Sequence, residues 1–224
     1  MPCATRSEAS AMVEVWPLRG LRLQVGDLDL RPVTEADLPS LCAILPADLE
    51  MDPSATRYAA LDDPSNRRAI LVQSYWRCFG LWSPDDWALP FAVRLGGDLI
   101  GMQTLEGPDY RAERTVDSSS WLVRDARGKG SGKDMRRAIL ELAFRHLGAE
   151  AAVSSAVVDN GSSLGVSRAL GYRDTHTSTL QHSGETLQHV RVERADWVAS
   201  GRGTDVEITG VDAALPFFGL GDGG

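Results

Sequence analysis

Lysine is almost missing from this chain: two of 224 residues, Lys129 and Lys133, against 21 arginines. Cysteine is nearly as scarce. Cys3, Cys42 and Cys78 are odd in number and share no framework or metal-like spacing, so reduced thiols are expected rather than disulfides. The four histidines, His146, His176, His182 and His189, show no ligand spacing, and no metal is expected. No apolar run approaches the length of a bilayer-crossing helix. From Met1 to Val15 there is neither the basic start nor the apolar centre of a signal peptide, which points to a cytoplasmic protein with no membrane partner. A formal net charge of −8 argues against a nucleic-acid partner; it serves solubility and suits a cationic partner. One domain is expected over residues 19–200, with an N-terminal extension at 1–18. A C-terminal strand and tail at 201–224 should pack on the domain or on a partner subunit of a homodimer or higher homo-oligomer, its Gly-rich last six residues fraying.

One segment concentrates what the rest lacks. Arg124-Asp125-Ala126-Arg127-Gly128-Lys129-Gly130-Ser131-Gly132-Lys133 holds both lysines, and from Arg124 to Arg137 six basic residues meet two acidic ones, a local +4. Alternating glycines let backbone N–H groups approach an anion. A helix opening directly afterwards adds unpaired amides and the positive end of its dipole. The segment is suited to phosphate, but it is not a P-loop: G-x-x-x-x-G-K-[ST] ending on Gly132-Lys133 fails at Arg127 and Asp134. The dinucleotide pattern G-x-G-x-x-G fails at Lys133 or Met135. A nucleotide-dependent kinase or NTPase is thereby set aside.

The surrounding pattern is α/β. Residues 21–33 alternate about Gly26-Asp27, predicting a strand or hairpin. Thr34-Glu35-Ala36-Asp37 is close to a capping box and predicts a helix over 35–44. Residues 46–63 are acidic and proline-punctuated, a loop or loose short helices, and a second helix is predicted over 65–81 with Ile70, Leu71, Tyr75 and Phe79 inward. Strands at 90–95 and 99–106, joined by Gly96-Gly97-Asp98, lead to a strand at 116–123. Met135, Ala138, Ile139, Leu142, Ala143 and Leu147 then recur at helical spacing, with Gly148 as a stop. A strand at 151–157, a short helix capped near Asn160, and strands at 174–180 and 185–193 complete the pattern. Strand–helix–strand around the loop implies a right-handed parallel crossover, with the ligand at the strands' C-terminal ends.

Arg127 to Gly132 satisfies R-x-x-G-x-G, and Val158-Asp159-Asn160-Gly161-Ser162-Ser163 with Ala169-Leu170-Gly171-Tyr172 follows about thirty residues on. In these blocks, and in Trp121-Leu122, the chain resembles the GNAT superfamily of acyl-CoA N-acyltransferases, in the branch that acetylates protein N-termini and similar amines. The similarity runs from Leu21 to about Trp197. The stretch from Trp87 and the tail near Leu215-Pro216-Phe217-Phe218-Gly219 resemble actinobacterial members, some of which are thought to accept succinyl-CoA. The resemblance implies a mixed, predominantly antiparallel sheet flanked by helices, with a central parallel strand pair splayed around CoA. It implies acetyl-CoA or succinyl-CoA as the acyl donor. The backbone of Arg127, Gly128, Lys129, Gly130, Ser131 and Gly132 would then cradle the pyrophosphate, with Arg127 and Lys129 adding charge. Leu122 and Val123, next to Trp121, would bind the pantetheine amides through their backbone, and Asn160 would contact the pantetheine or cap its helix.

Amide formation needs a neutral amine, and a lysine-like amine at pH 7 lies roughly 4–5 kcal/mol from neutrality. The resemblance makes Asp117, four residues before Trp121, the base, acting through water, and Ser163 the proton donor to the thiolate. Asp117 has a competing role as a strand-start partner of Arg114 or Arg124, and Ser163 as a helix cap. Tyr172 is an alternative acid or the start of a packed strand. Trp76, Trp82 and Trp87 form an acceptor wall or part of the core. Arg111 and Arg114 receive a succinyl carboxylate or sit on a solvated hairpin. The acidic segment 48–63, where the family places acceptor-gating helices, suits a cation. The acceptor is a protein N-terminus or lysine, or a small cationic amine of aminoglycoside or polyamine type. A non-catalytic acyl-CoA-binding module is the alternative to an enzyme.

Overall fold

Apolar residues at alternate positions build the sheet on which the site rests. The computed structural model describes residues 8–52, 55–181 and 183–221; Cys3, His182 and the end of the Gly-rich tail lie outside them. Helix α1 (Glu8–Val15) precedes a hairpin of β1 (Arg22–Val25) and β2 (Leu28–Pro32), whose Leu23, Val25, Leu28 and Leu30 are buried in the core. Helices α2 (Leu38–Ile44) and α3 (Asp63–Gly80) follow, then β3 (Trp87–Leu95), β4 (Asp98–Gly107), the one-turn α4 (Tyr110–Glu113) and β5 (Thr115–Leu122). The basic loop leads into α5 (Ser131–Glu141), β6 (Ala151–Val157), α6 (Gly161–Ala169), β7 (Arg173–Thr179) and β8 (Thr186–Glu193). Helix α7 (Arg194–Ser200), β9 (Glu207–Thr209) and α8 (Val211–Ala214) close the order.

The strands form one nine-stranded sheet in the order β7-β8-β6-β5-β4-β3-β2-β1-β9. Every pairing is antiparallel except β5 with β6. This is the mixed, mainly antiparallel α/β sheet that the sequence implied. Helix α5 covers one face, its Met135, Ala138 and Ile139 joining the larger core. Helices α2 and α3 cover the other, where Val33, Leu41, Leu71, Tyr75 and Trp121 meet.

Two local expectations are corrected. The helix expected from Glu35 starts at Leu38, because the Asp37 carboxylate accepts from the N–H and hydroxyl of Thr34 (2.9 and 2.7 Å) and from Arg94 (2.6 Å). Capping therefore runs backwards and closes a turn first. The helix expected to reach Leu147 widens to π geometry over Leu142–Leu147. There the Tyr110 hydroxyl donates to the Leu147 carbonyl (2.8 Å) and Arg114 to the Gly148 carbonyl (2.9 Å). The Glu150 N–H then donates to the Arg114 carbonyl (2.7 Å), which sets β6 beside β5. Arg114 is thus committed to structure, and Arg111 pairs with Asp85 (3.2 Å) at the surface.

The tail also closes on its own chain. Strand β9 pairs with β1, Phe218 is 1% exposed against Trp82 and Trp87, and the Trp82 indole N–H donates to the Phe217 carbonyl (2.8 Å). Phe217-Phe218 therefore presents no apolar knob to a partner subunit. Trp82 and Trp87 belong to this cluster with Trp16 and Tyr110 and do not wall the acceptor side; Trp76 is exposed on α3. Truncating the anchor, Phe218→Ala, is expected to cost about 3 kcal/mol or more. The check is the urea midpoint, and an unchanged midpoint would mean that the tail contributes nothing to stability.

Candidate active site at the strand splay

Strands β5 and β6 pair only through Thr115 with Ala151 and Val116 with Ala152. Beyond that β5 stays with β4, while β6 departs with β8. Antiparallel peptide groups alternate in direction. Since the Val123 N–H donates to the Ile100 carbonyl (2.9 Å), Val123 faces β4, and the peptide groups of Ser118, Ser120 and Leu122 face the gap. The pantetheine contact expected of Val123 is therefore corrected: its N–H is spent on the sheet. Leu122 turns its N–H toward the gap, while its carbonyl accepts from Arg127 Nε (2.9 Å).

The basic loop closes the wide end of the gap. Gly128 (φ 73) and Gly130 (φ 97) adopt left-handed backbone that a side chain would strain, and their turn starts α5 at Ser131. A Cβ on Gly132 would lie 3.8 Å from both Leu122 and Val166, so the start of α5 sits between the end of β5 and α6. The first amides of α5 have no partner within the helix. Lys129 is exposed and Ser131 buried. These features fit a pyrophosphate, with the adjoining strand edge open to an amide-bearing arm. Arg127, however, is not free. Its guanidinium grips Asp48 with two hydrogen bonds (2.8 and 3.0 Å), and Arg124 reaches the same carboxylate at 3.4 Å. Arg127 holds the Asp48 carboxyl down to about 2, so it is ionised at any ordinary pH.

Asp117 lies where the strands part. Its Oδ1 accepts the Ser118 N–H at 2.6 Å, a donor that β6 has left behind, and it pairs with neither Arg114 nor Arg124. Directly opposite it on β4 is Glu106, which the sequence reading missed. Burial raises both carboxyls above their ordinary values. Asp117's negative charge adds to the rise at Glu106, while the Ser119 hydroxyl (2.8 Å) opposes it. At Asp117 the Ser118 N–H, Arg136 and His189 oppose the rise. A lone carboxylate ending the strand Met102-Gln103-Thr104-Leu105-Glu106 was the available signal.

Glu106 lines a cavity of about 460 Å³ between the sheet and the helices α2 and α3, bounded also by Ser119, Ser120 and Trp121 of β5. Asp117 is not among the residues that line it. Cys78 lines it too, and burial, with the Glu106 charge second, pushes its thiol up to about 11, so it stays protonated. Asn160 caps α6 by accepting the Ser163 N–H (3.1 Å), which leaves the Ser163 hydroxyl outside that bond. Tyr172 is buried, as a packed strand start requires. Among the described residues no group of three His, Cys, Asp or Glu could hold a metal ion, and no helix is long and apolar enough to cross a membrane.

Residues 27–173 match the family described as acetyltransferase (GNAT) domain. The chain belongs to the GNAT acetyltransferase family. Solved structures share its fold. RimJ of Mycobacterium smegmatis, in complex with CoA-disulfide, aligns with a TM-score of 0.60 and 19% identity over 81% of this chain and 93% of that one. A ribosomal-protein-S5-alanine acetyltransferase from Vibrio fischeri gives 0.61 and 15% over 79% and 98%. A spermidine N-acetyltransferase SpeG chimera from Vibrio cholerae and hSSAT gives 0.59 and 14% over 77% and 99%.

In this GNAT chain a cation of the basic loop, Arg127, is thus held by a carboxylate from the loop that borders the cavity. Asp48→Asn should free Arg127 and tighten CoA binding severalfold in calorimetry. Weaker binding by this variant would show that Asp48 orders Arg127 for CoA rather than competing for it.

Proposed function

We propose that the chain transfers an acetyl group from acetyl-CoA to a primary amine by direct attack. The observation that carries this reading is the place of Glu106: a half-buried carboxylate on the wall of a cavity that abuts the splayed edge of β5. Glu106 takes the ammonium proton, and its raised affinity for protons suits a base working near neutrality. Asp117 supports that rise by its negative charge and acts through Glu106 or an intervening water. The gap-facing N–H groups of β5 hold the arm of the donor as a missing strand would. Ser163, in the first turn of α6, gives a proton to the departing thiolate. Free Cys42 and Cys78 suit a reducing cytoplasm.

A succinyl donor is a second reading, favoured by one feature. Arg136 is 4% exposed, and its Nε and Nη1 have no hydrogen-bond partner. Asp117 and Tyr172 lie near it, and the Tyr172 hydroxyl is within hydrogen-bonding reach of the guanidinium. A buried guanidinium of this kind is costly unless a ligand anion compensates it. Calorimetry with acetyl-CoA and succinyl-CoA separates the donors. Tighter succinyl-CoA binding that Arg136→Met abolishes would establish the second reading; equal binding, unaffected by that substitution, removes it.

The acid–base assignment predicts a pH limb. The rate kcat/KM should rise with pH through a value above the ordinary glutamate range and level off once Glu106 is ionised. Glu106→Gln should lower the rate by about 10²-fold or more and abolish the limb. Because the native value is raised, ionised Glu106 costs stability; the cost is absent at acid pH and appears as pH rises through that value. The variant should accordingly be at least as heat-stable as the parent at pH 8. An intact limb in the variant would remove Glu106 from the reaction. Acetyl-CoA binding with no turnover of any amine would leave a binding module instead of an enzyme.

A further inference from the structure

The walls of the acceptor cavity say more about the amine than its acidic surroundings do. Above Glu106 the lining is mainly hydrocarbon and aromatic: Val33, Leu38, Ile70, Leu71, Met102 and Trp121 surround the space, and five of these six are 7% exposed or less. Cys78 adds a neutral thiol. The remaining acidic lining, Glu50 and Asp52, is exposed at the mouth, and Arg77 lines the same space. One half-buried carboxylate, Glu106, sits at one end of an apolar volume. We propose that the acceptor is an amine with one cationic group carried on an apolar body, the ammonium at Glu106 and the body against the α2–α3 wall. This rests on the acetyl-transfer reading above and narrows its substrate.

The physical reason is desolvation. An apolar body released from water gains roughly 25 cal/mol per Å² buried. One ammonium meets one carboxylate at Glu106 and is compensated there. A linear polyamine or an aminoglycoside brings further cations at intervals of a few bonds. Those that fall between Glu106 and the exposed Glu50 and Asp52 would lie against Leu71, Ile70 and Met102, and an unpaired charge on such a wall costs far more than the adjoining methylenes return. The chemistry required is shared by two sources: a small arylalkyl or alkyl monoamine, and a peptide whose N-terminal residue has an apolar side chain.

The test is steady-state thiol release from acetyl-CoA by the full chain, with five acceptors: phenethylamine, hexylamine, a lysine-free peptide amide beginning with leucine, spermidine, and an aminoglycoside. At least one of the first three is expected to exceed spermidine and the aminoglycoside in kcat/KM by about tenfold or more, a discrimination typical of an apolar pocket. Which of the three leads identifies the source. Spermidine or the aminoglycoside at equal or higher kcat/KM overturns the inference and leaves acetyl transfer standing. Turnover of none of the five also overturns it. Calorimetry with acetyl-CoA then shows whether the acetyl-transfer reading falls with it, which the absence of binding would establish.

Discussion

The parting of β5 from β6 after two residue pairs is the constraint on which the site depends. A sheet that opens in its middle leaves peptide groups without partners, and buried peptide groups demand partners. The protein meets that demand in three ways. Asp117 turns its own carboxylate onto the Ser118 N–H, and Arg127 covers the Leu122 carbonyl. The remaining edge is open to a ligand that carries amides, as the proposed donor does. The vertex is fixed from outside by Tyr110 and Arg114, which take the Leu147 and Gly148 carbonyls at the helix end ahead of β6, while the Arg114 carbonyl accepts from the Glu150 N–H.

Charge is arranged around the gap in a graded way. At the wide end, basic residues and helix amides are exposed, where an anion reaches them without desolvating a protein charge. At the vertex, Asp117, Glu106 and Arg136 are held in low dielectric, where each alters the proton affinity of its neighbours. Asp48 links the two regions. It comes from the loop bordering the cavity and binds the loop expected to hold phosphate.

The aromatic residues divide by task. Trp16, Trp82, Trp87, Tyr110 and Phe218 lock the two chain ends and the start of β3 together. Trp121 and Tyr75 lie on the other sheet face and shape the acceptor cavity. Tryptophan count alone could not separate these roles, because both are buried apolar environments and differ only in which face of the sheet each side chain occupies.

Periodicity and motif spacing were enough for the order of the main strands and helices between β1 and β8, the basic loop ahead of a helix, and the Asn160 cap, because these depend on residues within a few positions of one another. The loop's glycines are legible for the same reason: a left-handed backbone is a local demand. Glu106 was not legible as a functional residue. Its meaning comes from standing opposite Asp117, eleven positions away, and that register is set only when β4 and β5 pair. The engagement of Arg127 by Asp48, the loss of Val123 to the sheet, and the commitment of Arg114 to a helix end are of the same kind. Each is decided by which partner arrives in three dimensions, since hydrogen bonds and burial depend on distance in space, and sequence spacing fixes that distance only within a helix turn or a strand.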